Sequence, residues 1–197
     1  MFGIFKKRSD EPLTLERKLA VLAECGMSLS SPFTARDLLN SWPREEFEKP
    51  GFTMTLVGLG MTEEQPPWRS HCVNVWHFDT ECIEDDGSYV RIAERMAELT
   101  QGALVIENVR DQVHLEDGTA NLDFEHSGKP IHIDFKVNDD WVDPAVFSLF
   151  VRLLAISDPA RIFLYHDTKG QDCVIACATR DQLMALKTAG VNFEPLK

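Results

Sequence analysis

What the chain lacks is the first guide to it. No apolar run reaches the roughly 20 residues that span a bilayer; the longest, "FTMTLVGLGM" and "AVFSLFVRLLAI", stop well short. No glycine-rich phosphate loop is present, because the "GLG" at 58–60 is too short and no lysine follows it. The basic and aromatic stripe of a nucleic-acid binder is missing too. Cysteine is sparse and odd in number: Cys25, Cys72, Cys82, Cys173 and Cys177. With no export signal, these read as free thiols in a reducing cytosol, not as a disulfide framework, so the expected location is cytoplasmic. The start, "MFGIFKKRSDEP", has neither the hydrophobic core nor the cleavage site of a signal peptide. Residues 1–12 are therefore expected to be a flexible tail.

What is present is an ordinary globular composition with an unusual placement of charge. Of 197 residues, 44% are hydrophobic and 26% charged, so the chain has material for a core without staples. The formal net charge is −12. Residues 79–86 hold Asp79, Glu81, Glu84, Asp85 and Asp86 with no base, and 107–140 hold nine acids against three bases, so −11 of the total falls in two segments. Such a field repels nucleic acid and anionic membrane and attracts basic partners.

Periodicity organises the rest. Leu15, Leu19 and Leu22 stand at helical spacing, and Gly26 follows as a stop. Thr34 with Asp37 approaches a capping box for a short helix, and "REEFE" after Pro43 reads as another short turn. "FTMTLVGLG" and "CVNVWHF" read as strands. Tyr89, Ile92, Ala93, Met96 and Leu99 form one apolar stripe behind Ser88 as cap. From about residue 104 the period becomes two. Asp117-Gly118 and "HSGKP" are turn signals that divide a three-stranded meander, with Ile131, Ile133, Phe135 and Val137 on one face of its last strand. Asp143-Pro144 then opens a helix bearing Val146, Phe147, Phe150, Leu153 and Leu154. "RIFLYHD" and "CVIACAT" make a terminal hairpin, and Thr179 with Gln182 boxes the last helix. The expected fold is α+β: mainly one antiparallel sheet, meander plus C-terminal hairpin, with helices packed on one face. Residues 13–197 read as a single domain, with 13–65 as a candidate helical N-terminal layer.

Candidate chemistry is thin. In "WHFDTEC", alternation puts His77, Asp79 and Glu81 on one face, but i, i+2, i+4 on a strand spans roughly 13 Å, too far for one ion to grip all three. Asp123, Glu125, His132 and Asp134 fall on one side of adjacent strands, where like charges need compensation from Lys129, Lys136 or a partner. Cys173 with His166 and Asp167 would be a thiol nucleophile if the hairpin brought them together, although cysteine in an apolar strand is ordinarily core. No cofactor, metal or assembled catalytic set is expected.

"WHFDTECIED", "VNDDWVDP" and "GQDC" resemble stretches of a group of small, acidic, uncharacterised bacterial cytosolic proteins, over most of the chain from about residue 70. The resemblance transfers no catalytic residue; by general type such proteins are similar to immunity proteins that block a basic toxin. The expected function is accordingly a non-enzymatic acidic binding domain for a basic protein. Its face would be made by Trp76, Asp79, Glu81, Asp123, Glu125, Asp134, Asp139, Asp140 and Trp141, tryptophan being the usual anchor of such interfaces. The alternatives are a small hydrolase-like or metal-binding enzyme using His77/Asp79 or Cys173/His166, and a structural or oligomeric role.

Overall fold

The computed structural model describes residues 13–63 and 65–197; the tail expected at 1–12 lies outside the described residues. Four helices come first: α1 (Leu15–Glu24), α2 (Ala35–Leu38), α3 (Arg44–Glu48) and α4 (Thr53–Gly60). Strand β1 (Val75–Asp79) and helix α5 (Ser88–Leu99) follow. The meander is β2 (Glu107–His114), β3 (Thr119–His126) and β4 (Lys129–Lys136). Helix α6 (Ala145–Ser157), the hairpin β5 (Arg161–Asp167) and β6 (Asp172–Thr179), helix α7 (Arg180–Thr188) and the short β7 (Glu194–Pro195) complete the chain.

The fold is α+β with every strand pair antiparallel, in two sheets: β1-β6-β5-β7 and β2-β3-β4. The meander and the terminal hairpin stand where period two and the turn residues put them. Ser127 (φ 53) and Gly128 (φ 69) form the two-residue turn that joins β3 to β4. Both central residues have positive φ, the arrangement that matches strand twist.

Where the sequence suggests one sheet, the structure has a layered pair with helices between. The faces of the four-stranded sheet are both apolar. Val75, Leu164, Val174, Ala176 and Ala178 pack with Leu22, Leu56, Leu59, Leu183 and Leu186 of α1, α4 and α7. Phe78, Phe163, Cys173, Ile175 and Cys177 face the other way, into a core shared with α5, α6 and the meander's inner face. Aromatic contacts tie these layers: Phe147 of α6 meets Phe78 edge-on at 5.4 Å, Phe150 stacks on Phe124 at 5.8 Å, and Tyr89 of α5 stacks on Phe135 at 4.2 Å. The three-stranded sheet thus carries helices on one face, as expected, whereas the four-stranded sheet is covered on both. A strand buried on both faces reads as a continuous apolar run, as β6 does in "CVIACAT".

Three local readings change. "FTMTLVGLG" is a helix, not a strand: residues 55–60 are all buried, so no polar face marks its period. Ser88 is the first residue of α5 rather than its cap. The capping acceptor comes from β2 instead, where the Asp111 carboxylate accepts from the amides of Gly87 (2.6 Å), Tyr89 (2.7 Å) and Val90 (3.1 Å). Asp143, expected to open the helix with Pro144 as its first residue, stands one residue outside the Pro144 cap. Its carboxylate accepts from the Ala145 amide at 2.9 Å and from the Lys136 amide at 3.1 Å, joining the end of β4 to the start of α6.

Candidate functional site

The acidic segment 79–87 has little regular structure, so its backbone groups find partners elsewhere. Glu81 bridges Trp141, the amides of Cys82 and Ile83 both donate to the Asp140 carbonyl at 2.9 Å, and the Val142 amide donates to the Thr80 carbonyl at 2.9 Å. On its other side, the Asp86 carboxylate accepts from the Val113 amide of β2 at 2.7 Å. A single turn of 3-10 helix, Leu115–Asp117, joins β2 to β3, and the Gly118 carbonyl after it accepts from the Val137 amide. These bonds draw three acidic stretches (79–87, 115–117 and 138–141) to one end of the meander. Glu84, Asp85, Asp86, Glu116 and Asp117 together line an open cleft of about 620 Å³ with Val113, His114 and Leu115. Among the described residues, the one ion pair these five carboxylates make is Asp85 with Arg91, at 3.7 Å and well exposed. Exposed pairs of that kind contribute at most about 1 kcal/mol, so the described residues leave the negative field of this end largely uncompensated.

The nine residues expected on the binding face fall in three places. Asp79, Glu81, Asp139, Asp140 and Trp141 lie in the stretches those bonds join but do not line the cleft itself; Trp141, 42% exposed, bridges Glu81. Asp139 has φ 62 and turns the corner. Asp123, Glu125 and Asp134 lie on the meander's outer face and have local partners. His132 contacts Asp123 at 2.9 Å and Asp134 at 3.3 Å, Arg110 approaches Asp123 at 3.9 Å, and the Asn108 amide donates to Glu125 at 3.0 Å. The hydrogen bond to Asp123, with the two nearby carboxylates, holds the His132 imidazolium above the usual histidine range. Trp76 packs against the core, tilted on Phe78 at 4.5 Å, and borders a separate cleft with Trp68 and Asp79. In the sequence Glu84, Asp85, Asp86, Glu116 and Asp117 stand out only as charge, not as a site. Their meeting depends on long-range backbone bonds that no local pattern encodes.

Neither enzymatic pairing read from the sequence is assembled. His77 contacts Asp172 at 2.6 Å rather than Asp79. Burial alone would raise the Asp172 carboxyl, but hydrogen bonds with His77 and Thr168 outweigh it and hold it below the usual range. Cys173 pairs in register with Asp167, one position from His166, so thiol and imidazole project from opposite faces of the hairpin. Burial pushes the Cys173 thiol up to about 12, with the nearby Asp172 and Asp167 charges adding to the effect. A thiol in that environment is a poor nucleophile. No three His, Cys, Asp or Glu side chains among the described residues are gathered as a metal ion requires. Nor is any described helix long and apolar enough to cross a membrane. No protein-family model, curated protein or solved structure matches this chain.

Proposed function

We propose that the chain is a partner-binding protein whose acidic end receives a basic protein, in the manner of an immunity-type inhibitor. The observation that carries this reading is the cleft walled by Glu84, Asp85, Asp86, Glu116 and Asp117, which make a single weak ion pair among the described residues. Like charges gathered at one place destabilise the fold that holds them, and a cationic partner relieves that repulsion. Trp141, half-exposed at the same end, supplies the apolar anchor that charge alone does not. Long-range attraction raises the association rate, and the desolvated aromatic slows release.

The test compares the wild-type chain with the variant E84Q/D85N/E116Q/D117N as baits in lysate of the native cell, at low and moderate salt. Asp86 stays, because it holds the Val113 amide. The expected outcome is a basic protein retained by the wild type, weakened by salt and lost by the variant. Equal capture by both baits, or none at low salt, counts against the reading.

A further inference from the structure

Another cleft, of about 710 Å³, opens between the start of α4, the end of β5 and the segment 191–194. Its wall holds a three-part relay. His166, 7% exposed, places Nδ1 2.5 Å from the Asn192 carbonyl and Nε2 3.0 Å from the Thr53 hydroxyl. A carbonyl only accepts, so Nδ1 carries the proton. In the neutral ring Nε2 is then the acceptor, and the Thr53 hydroxyl donates to it. Phe193 holds the imidazole edge-on, with ring centres 5.7 Å apart. A hydroxyl on Nε2, with Nδ1–H fixed by a third group, is the geometry in which an alcohol becomes a nucleophile. Thr53 is half-buried on the cleft wall and is the first residue of α4, so the positive end of that helix stands beside the reacting oxygen.

We propose that Thr53 and His166 are a nucleophile and general base that hydrolyse small carboxylic esters in this cleft. The Thr53 Oγ attacks the ester carbonyl carbon while its proton passes to His166 Nε2. The bond to the alcohol oxygen breaks, and Nε2 returns the proton to the departing alkoxide. Water, giving a proton to Nε2, then attacks the acyl-threonine. The carboxylic acid leaves and Thr53 regains its proton. Nothing in this reaction draws on the acidic end, so either proposal stands or falls alone.

The test uses the full chain with p-nitrophenyl acetate as substrate, and diisopropyl fluorophosphate as covalent probe followed by peptide mass spectrometry. Wild-type protein is expected to turn over the ester and to carry the phosphoryl adduct on Thr53. T53A and H166Q should lower turnover roughly 100-fold, as loss of a nucleophile or base does, while T53S stays within a few-fold of wild type. C173A, on the far face of the hairpin, should leave turnover unchanged. Circular dichroism shows whether each variant folds. If T53A does not, the adduct site and the T53S rate decide. Turnover at the buffer background, an adduct on another residue, or full activity in folded T53A or H166Q overturns the proposal.

Discussion

Asp111 shows how a single side chain changes its meaning between sequence and structure. As a letter it adds one negative charge to an acidic stretch. In the fold it points inward and serves three amides at the start of α5, so it contributes to a helix rather than to a binding field. Replacing it with alanine leaves those amides without their acceptor, and a loss of about 1–3 kcal/mol is expected in urea unfolding. Asparagine keeps an acceptor and should lose less. The thiols give a second residue-scale prediction. Burial raises Cys173 to about 12, and Cys82 and Cys177 to about 11, from an ordinary 9.0. Above pH 9 the unfolded chain releases these protons while the folded chain keeps them, so stability falls as pH rises. Lys18 works the other way: burial lowers its ammonium below 10.5, and stability gained with pH from that group ends there. The melting temperature is therefore expected to drop between pH 9 and pH 11; a flat or rising profile would contradict these environments. Asp143 was legible as a hinge because a cap and a proline are local chemistry. Asp111 was not, because its three donors lie 21 to 24 residues away.

At the scale of elements, amphipathic pieces were readable and fully buried ones were not. The meander, α5 and the two boxed helices each keep a polar side, so their periods show in the letters. Helix α4 has no such side, and its apolar run suits a strand equally well. Its two glycines carry the missing information. A Cβ on Gly60 would come within 2.7 Å of the Trp76 carbonyl carbon and collide with the His77 backbone, and one on Gly58 would stand 3.1 Å from Phe47. The helix thus lies directly on β1, a contact that only glycine permits. Gly60→Ala must push the two elements apart and is expected to destabilise by about 1–3 kcal/mol or more, measured by chemical denaturation. Gly58→Ala meets only side-chain atoms of Phe47 and Leu38 and should be milder. Equal effects at the two positions would argue against this packing.

For the whole molecule, the sequence indicates how much charge there is, and the fold decides where it acts. Acids on the meander's outer face are answered by His132, Arg110 and Asn108, while those at its end meet almost no opposing charge among the described residues. If the end is kept acidic for a partner, removing its charge should stabilise the isolated chain. The E84Q/D85N/E116Q/D117N variant is expected to gain roughly 1 kcal/mol at low ionic strength, from several small repulsions lost together. That gain should fade at 1 M salt, where screening acts over about 3 Å. The most direct measurement is zero-length carbodiimide cross-linking of the wild-type chain to the basic protein it captures, read by mass spectrometry. Such a reagent joins only carboxylates already in contact with lysine amines. The expected links leave from Glu84, Asp85, Glu116 or Asp117; links confined to Asp123, Glu125 or Asp134, or no link at all, would contradict the acidic end as the binding face.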